Sequence, residues 1–87
     1  MTDEDILDEL HIKLAEGAKT ANFNLIQKST SLVGTRSFLA YVGNKRVTVL
    51  LAATTVPTMS ADIIFYRHSV TLSSGQIGDE VLRLLQR

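Results

Sequence analysis

The fold of this chain is decided by residues 38–53, which read FLAYVGNKRVTVLLAA. Two apolar runs flank Gly43-Asn44, and this pair favours a tight two-residue hairpin because both residues tolerate the positive φ of primed turns. We therefore predict an antiparallel hairpin with strands over residues 36–42 and 45–55. The turn also fixes the register, which pairs the following residues: Val42 with Lys45, Ala40 with Val47, Phe38 with Val49 and Arg36 with Leu51.

Side chains alternate between the two faces of a strand, so this register sorts the hairpin into two surfaces. One surface is apolar and is predicted to form the core: Phe38, Ala40, Val42, Val47, Val49 and Leu51. The other surface mixes apolar and polar side chains: Ser37, Leu39, Tyr41, Arg46, Thr48, Leu50 and Ala52. The mixed surface is too apolar for bulk water and too polar for a second core, and it therefore indicates a docking surface.

A helix is predicted at each end of the chain. Thr2 is a suitable N-cap followed by an acidic first turn, and the first helix is expected to run from residue 3 to between residues 16 and 21. Ile12 falls outside its apolar stripe, which consists of Ile6, Leu7, Leu10, Leu14 and Ala18. A cap at residues 73–75 begins the second helix, with the stripe Ile77, Val81, Leu84 and Leu85.

The segments between the helices and the hairpin complete the sheet. Residues 62–72 are rich in Ile, Phe, Tyr and Val and predict another long strand, whereas residues 23–28 fit either a short strand or a last helical turn. Pro57 cannot donate a hydrogen bond to a ladder and so ends the preceding strand. We predict one α+β domain over residues 1–87, with an N-terminal helix, an antiparallel sheet of three to four strands and a C-terminal helix.

The helices can cover such a sheet in two ways. We expect both of them on the face that carries Phe38 and Val49, which leaves the face with Leu39 and Tyr41 free for a partner. In the alternative arrangement, each helix covers one side of the sheet and no free face remains.

Size and composition restrict the class of protein. Eighty-seven residues make a domain that buries only roughly 60–65% of its unfolded surface, and such a domain gains stability from self-association. Cysteine is absent, which removes disulfides and favours a reducing, cytoplasmic location. The first residues lack the features of a secretion signal, and no apolar run is long enough to span a bilayer, so we expect no membrane association.

Residues that could carry chemistry are sparse and form no catalytic motif. His11 and His68 lack the three or four clustered ligands of a metal site, and we interpret both as structural. No nucleophile elbow and no phosphate-binding glycine loop are present. Asp5 and Glu9 lie one helical turn apart, but on an open helix face they stay solvated and are unsuited to acid–base catalysis. We therefore predict a protein that is not an enzyme and that binds no metal or cofactor.

Charge is segregated along the chain, although the formal net charge is zero. Residues 1–16 hold six acids and one base, whereas residues 17–72 hold six bases and one acid, a local formal charge of +5. If the strand over residues 62–72 adds Phe65 and Arg67 to the mixed face of the hairpin, arginines frame aromatic residues on that face.

Our first hypothesis is a non-enzymatic protein-interaction module in the role of a regulator, adaptor or virus-encoded inhibitor. Its partner would be a second copy, giving a homodimer, or a larger protein. Aromatic residues and arginine are enriched at the energetic hot spots of protein interfaces. The expected contacts are Leu39, Tyr41, Leu50, Phe65 and Arg67. The acidic first helix is a further candidate, because it could contact the basic region of a second copy.

The alternative is a nucleic-acid-binding protein, because cations neutralise phosphates and aromatic rings stack unpaired bases. The order of helix, three strands and helix is similar to that of a double-stranded-RNA-binding domain. The lysine-rich start of that family's second helix is absent, and Gly78-Asp-Glu stands there instead, which would repel phosphate. We therefore rank this function below protein binding. Its expected contacts are Lys28, Lys45, Arg46, Arg67 and Tyr41.

Overall fold

The computed structural model describes residues 2–31, 33–53, 63–67 and 73–86, with the backbone alone for residues 63–67. Within these residues, the chain forms a helix, four strands and a second helix. The N-terminal helix, the antiparallel sheet of three strands and the C-terminal helix confirm the predicted α+β fold. The elements are α1 (Asp3–Ala21), β1 (Asn24–Lys28), β2 (Thr35–Val42), β3 (Lys45–Ala52), β4 (Ile63–Arg67) and α2 (Ser74–Leu85).

The β2–β3 hairpin has the register that its turn residues predict. The two strands are antiparallel, with Val42 opposite Lys45 and Phe38 opposite Val49. Gly43 adopts a φ of +61°, and Asn44 keeps a negative φ. A positive φ at the first turn position alone is typical of a type II′ turn. Glycine adopts this φ without strain because it has no Cβ atom. Residues 54–55, which were also predicted to belong to the second strand, lie outside the described residues.

The strands β1 and β4 flank the hairpin on opposite sides, in the order β1-β2-β3-β4. β1 pairs antiparallel with β2, so the ambiguous segment forms a strand. β4 joins the sheet parallel to β3 rather than antiparallel, with Phe65 in register with Leu50. Parallel pairing requires a crossover connection instead of a tight hairpin. The remainder of the predicted strand, residue 62 and residues 68–72 with His68, lies outside the described residues.

Capping boxes begin both helices. The Thr2 hydroxyl accepts a hydrogen bond from the Asp5 amide, and the Asp5 carboxylate accepts one from the Thr2 amide. Ser73 and Gln76 form the same reciprocal pair at the start of α2. Each box satisfies two amides that a helix start otherwise leaves unpaired, which fixes the first turn of both helices. The predicted caps are confirmed.

The core lies between the two helices and a single face of the sheet. Phe38 and Val49 are at most 2% exposed. They belong to one buried cluster with residues of both helices: Leu7, Leu10, Leu14, Ala18, Ile77, Val81 and Leu85. The alternative arrangement with one helix on each side of the sheet is therefore wrong. The described residues form two layers, a pair of helices and a sheet.

A pair of glycines brings the two helices into direct backbone contact. A Cβ atom added to Gly17 would lie 2.5 Å from the Ser74 carbonyl oxygen, and one added to Gly78 would lie 2.5 Å from the Gly17 carbonyl oxygen. The Ser74 hydroxyl also donates a hydrogen bond of 2.9 Å to the Glu16 carboxylate. The close crossing lets both helices fit on the same side of a narrow sheet.

Candidate interaction surface

We call the side of the sheet opposite the helices the open face. The strand register gives it two rows at the hairpin end, one running from Asn24 through Tyr41 to Arg46 and the other from Ile26 to Leu39. Alternation places the side chains of these rows on the side away from Phe38. Neither described helix packs there, because both belong to the cluster on the other side.

A shallow depression of about 370 Å³ occupies the hairpin end of the open face, and we call it the sheet depression. Ile26 is 43% exposed, and Leu39 and Tyr41 are partly buried. The two cations of the lining, Lys28 and Arg46, are exposed. An apolar floor thus lies between two positive charges, and the described residues of the lining include no acid. The lining residues are Ile26, Lys28, Leu39, Tyr41, Gly43 and Arg46.

The cations Lys28 and Arg46 stand on either side of the Leu39 row. Lys28 ends β1 opposite Ser37, and Arg46 lies near the start of β3 opposite Tyr41. Neither cation forms a hydrogen bond or ion pair with the described part of the chain. Their field is therefore directed to solvent, where it favours an acidic partner.

Ile26 belongs to this surface, although the sequence did not predict it as a contact. Only one of its four nearest neighbours in the chain, Leu25, is apolar, so residues 23–28 show no clear strand alternation. Antiparallel pairing with β2 sets Ile26 opposite Leu39, and the alternation of β1 then assigns it to the open face.

The far end of the open face is closed. Leu50 is 4% exposed and Ala52 is fully buried, although both alternate with residues of the core face. Leu50 lies in an interior strand, between Ser37 of β2 and Phe65 of β4 in the register. Leu50 therefore offers a partner almost no surface, which corrects its prediction as an interface contact. The backbones of Phe65 and Arg67 lie in register with Leu50 and Ala52, at this closed end.

Lys45 lies on the other side of the hairpin from Arg46. It pairs with Val42, and adjacent residues of a strand point to opposite faces. The set predicted to bind nucleic acid is therefore divided: Lys28, Tyr41 and Arg46 share the sheet depression, and Lys45 does not. Lys45 instead lines a second depression of about 490 Å³ with Ala21, Asn22, Val42, Asn44, Leu82, Leu85 and Gln86.

Arg36 is held inside the fold by α1. Its guanidinium donates to the Glu4 carboxylate at 2.8 Å and to the Asp8 carboxylate at 2.7 Å. These hydrogen bonds, first to Glu4 and then to Asp8, raise the pKa of Arg36, and burial opposes them in part. His11 places Nδ1 3.3 Å from the same guanidinium and its ring 4.7 Å from that of Phe38. Part of the acidic charge of α1 is thus neutralised within the chain.

Two further features bear on function. In residues 2–31, 33–53, 63–67 and 73–86, no three or more His, Asp or Glu side chains come together as metal ligands could. Neither α1 nor α2, the helices of the described residues, has the length and apolar character needed to cross a bilayer.

The chain matches no protein-family model, no curated protein and no solved structure.

Proposed function

We propose that this chain is a non-enzymatic protein-interaction module that binds through the open face of its sheet. The partner is a second copy, with a homodimer as the smallest assembly, or a larger protein. One observation supports this function above others: both helices pack on one side of the sheet, while Ile26, Leu39 and Tyr41 stay partly exposed on the other. Exposed apolar area costs about 25 cal/mol per Å² in water, so covering this surface is favourable.

The composition of the sheet depression fits protein recognition. Tyrosine and arginine are over-represented among residues that dominate binding energy, because they bury a large area on rigid groups. A small module of this kind acts by occupying the surface of another molecule, in the role of a regulator, an adaptor or a virus-encoded inhibitor. We assign it to the cytoplasm as part of the same proposal, since a small domain without cysteine suits a reducing compartment.

Sedimentation velocity across the micromolar range tests self-association. We expect the mass of the wild-type protein to rise with concentration and the Leu39→Lys variant to remain a monomer, because a charge then stands on the apolar floor. Val33→Lys is the matched control, since Val33 is exposed in a turn outside the sheet depression. Circular dichroism confirms that each variant is folded.

A photo-crosslinking amino acid in place of Tyr41 covers both kinds of partner. We expect protein adducts in cells that express the chain, either with a second copy or with a larger protein. The same amino acid in place of Asp79, an exposed residue of α2, should give few adducts. A chain that is monomeric at all concentrations and that forms no adducts from position 41 would contradict the proposed function.

A second candidate function has its own supporting observation. Lys28, Tyr41 and Arg46, three of the residues expected to bind nucleic acid, line the same depression. Phosphate contacts release counterions, so binding of an oligonucleotide should fall steeply as salt rises, and Arg46→Glu should weaken it. If neither single-stranded nor double-stranded oligonucleotides are retarded at low salt, this function is excluded.

A further inference from the structure

The outer side of α1 carries an exposed apolar side chain among acids. Ile12 is 59% exposed, because it lies opposite the buried stripe of the helix. Asp8 and Glu9 lie one turn before it and Glu16 one turn after it, and all three acids are exposed. We call this surface the α1 ridge: Asp8, Glu9, Ile12 and Glu16.

The α1 ridge and the sheet depression are complementary in charge and polarity. The ridge has an apolar side chain between carboxylates, and the depression has an apolar floor between Lys28 and Arg46. Contact between them would cover Ile12 and Ile26 together and would bring opposite charges close. We infer that the α1 ridge of a second copy of this chain occupies the sheet depression. This inference rests on the proposed function.

The two surfaces lie on opposite sides of the subunit. α1 packs its buried side on the Phe38 face of the sheet, so the α1 ridge points away from the sheet, and the sheet depression lies on the far face. The surfaces of one chain therefore cannot meet. Two copies form one such contact and leave a free depression at one end and a free ridge at the other. The contact is heterologous, and further copies add head to tail or close a ring.

The charges on the α1 ridge are not equivalent. Asp8 already binds Arg36, and Glu16 accepts a hydrogen bond from Ser74. The Glu9 carboxylate forms no hydrogen bond or ion pair within the described residues. Glu9 is therefore the acid most available to Lys28 or Arg46 of the next copy, and its substitution removes no side-chain hydrogen bond or ion pair from the described residues.

Two complementary variants test the inference. The ridge variant carries Glu9→Gln and Ile12→Ser, which add no cation that could pair with the substituted depression, and it keeps the sheet depression. The depression variant carries Lys28→Glu and Arg46→Glu and keeps the α1 ridge. Each should self-associate at least about tenfold more weakly than the wild type, which corresponds to the loss of one interface hot spot. Asp79→Lys, a charge reversal on the exposed part of α2, should associate like the wild type.

The decisive measurement is the mixture of the two variants. We expect a 1:1 complex that grows no further, because the ridge of the depression variant enters the depression of the ridge variant and no other matched pair remains. The measurement is sedimentation velocity of each variant alone and of the mixture. The milder pair Ile12→Ser and Arg46→Gln repeats the experiment if thermal unfolding shows that a charge-reversed variant is poorly folded.

Other outcomes overturn the inference in distinguishable ways. If the ridge variant still associates like the wild type while the depression variant is a monomer, the open faces of two copies contact each other. The inference is then wrong, and the proposed function stands. A mixture that does not associate, variants that both behave like the wild type, or a monomeric wild type would also overturn it. In those cases the crosslinking result from position 41 decides the proposed function separately.

Discussion

The side chains of strand β2 contribute to two surfaces that differ in burial and in the pairing of their charges. On the helix side, Phe38 and Ala40 are sealed in the core; on the open side, Leu39 and Tyr41 keep contact with solvent. The arginines differ in the same way. Arg36 on the helix side binds two carboxylates of α1, whereas Arg46 on the open face has no ion pair within the described residues.

This contrast separates the residues that stabilise the fold from those available for binding. A substitution on the helix side removes packing that the folded state needs, so its main effect is on the free energy of unfolding. A substitution on the open side removes surface that the subunit alone leaves wet, so its main effect is on assembly. Substitutions at adjacent residues of β2 should therefore affect different quantities, the free energy of unfolding on the helix side and assembly on the open side.

The largest expected effect comes from truncating adjacent residues of β2. Phe38→Ala should lower the free energy of unfolding by about 3–5 kcal/mol, because it opens a cavity in the core. Leu39→Ala should cost about 1 kcal/mol, since Leu39 is only partly buried. Urea denaturation at a concentration low enough to keep the chain monomeric measures both. Equal losses would contradict the division of the sheet into two faces.

Sequence alone predicted the local features of this fold. Gly43-Asn44 fixes the turn, the turn fixes the register, and alternation then assigns Phe38 and Leu39 to opposite faces. The caps at Thr2 and Ser73 were equally readable, because each depends on residues only three positions apart. The same alternation predicted that Leu39 and Tyr41 share a face with Arg46.

The remainder depends on contacts between residues far apart in the chain. The alternation of β4 fits either direction of pairing, so the sequence could not show that it lies parallel to β3. The ion pair of Arg36 with Glu4 spans 32 positions, and the contact of Gly17 with Gly78 joins the two helices. The burial of Leu50 likewise does not follow from the alternation of β3, which assigns it to the same face as Arg46.

The glycines at the helix crossing give an intermediate effect. Gly17→Ala and Gly78→Ala should each cost about 1–3 kcal/mol, because the new methyl group would overlap backbone atoms and push the helices apart. Gly75→Ala is the matched control. Among the described residues, its Cβ would meet only the Ser73 hydroxyl oxygen, at 3.9 Å, and alanine favours a helix. Thermal unfolding distinguishes the three, and a neutral Gly17→Ala would contradict direct backbone contact between α1 and α2.

The two arginines of the hairpin give the smallest expected effect on stability. Arg36→Met should cost about 0.5–1 kcal/mol, since its carboxylate partners are largely exposed and such pairs contribute little. Arg46→Met should change the stability of the monomer by less than about 0.5 kcal/mol, the usual range for a surface site. Chemical denaturation of both variants and of the wild type provides the comparison.

Salt and pH sharpen this last comparison. Because the pKa of Arg36 is raised, titration of its guanidinium removes the stabilising charge only in strongly alkaline solution. Titration of Arg36 itself therefore adds no pH dependence near neutrality. Added salt should reduce the cost of Arg36→Met, because it screens the exposed carboxylates. If Arg46→Met lowers the stability of the monomer as much as Arg36→Met does, Arg46 is not free for a partner, and the open face loses one of its two cations.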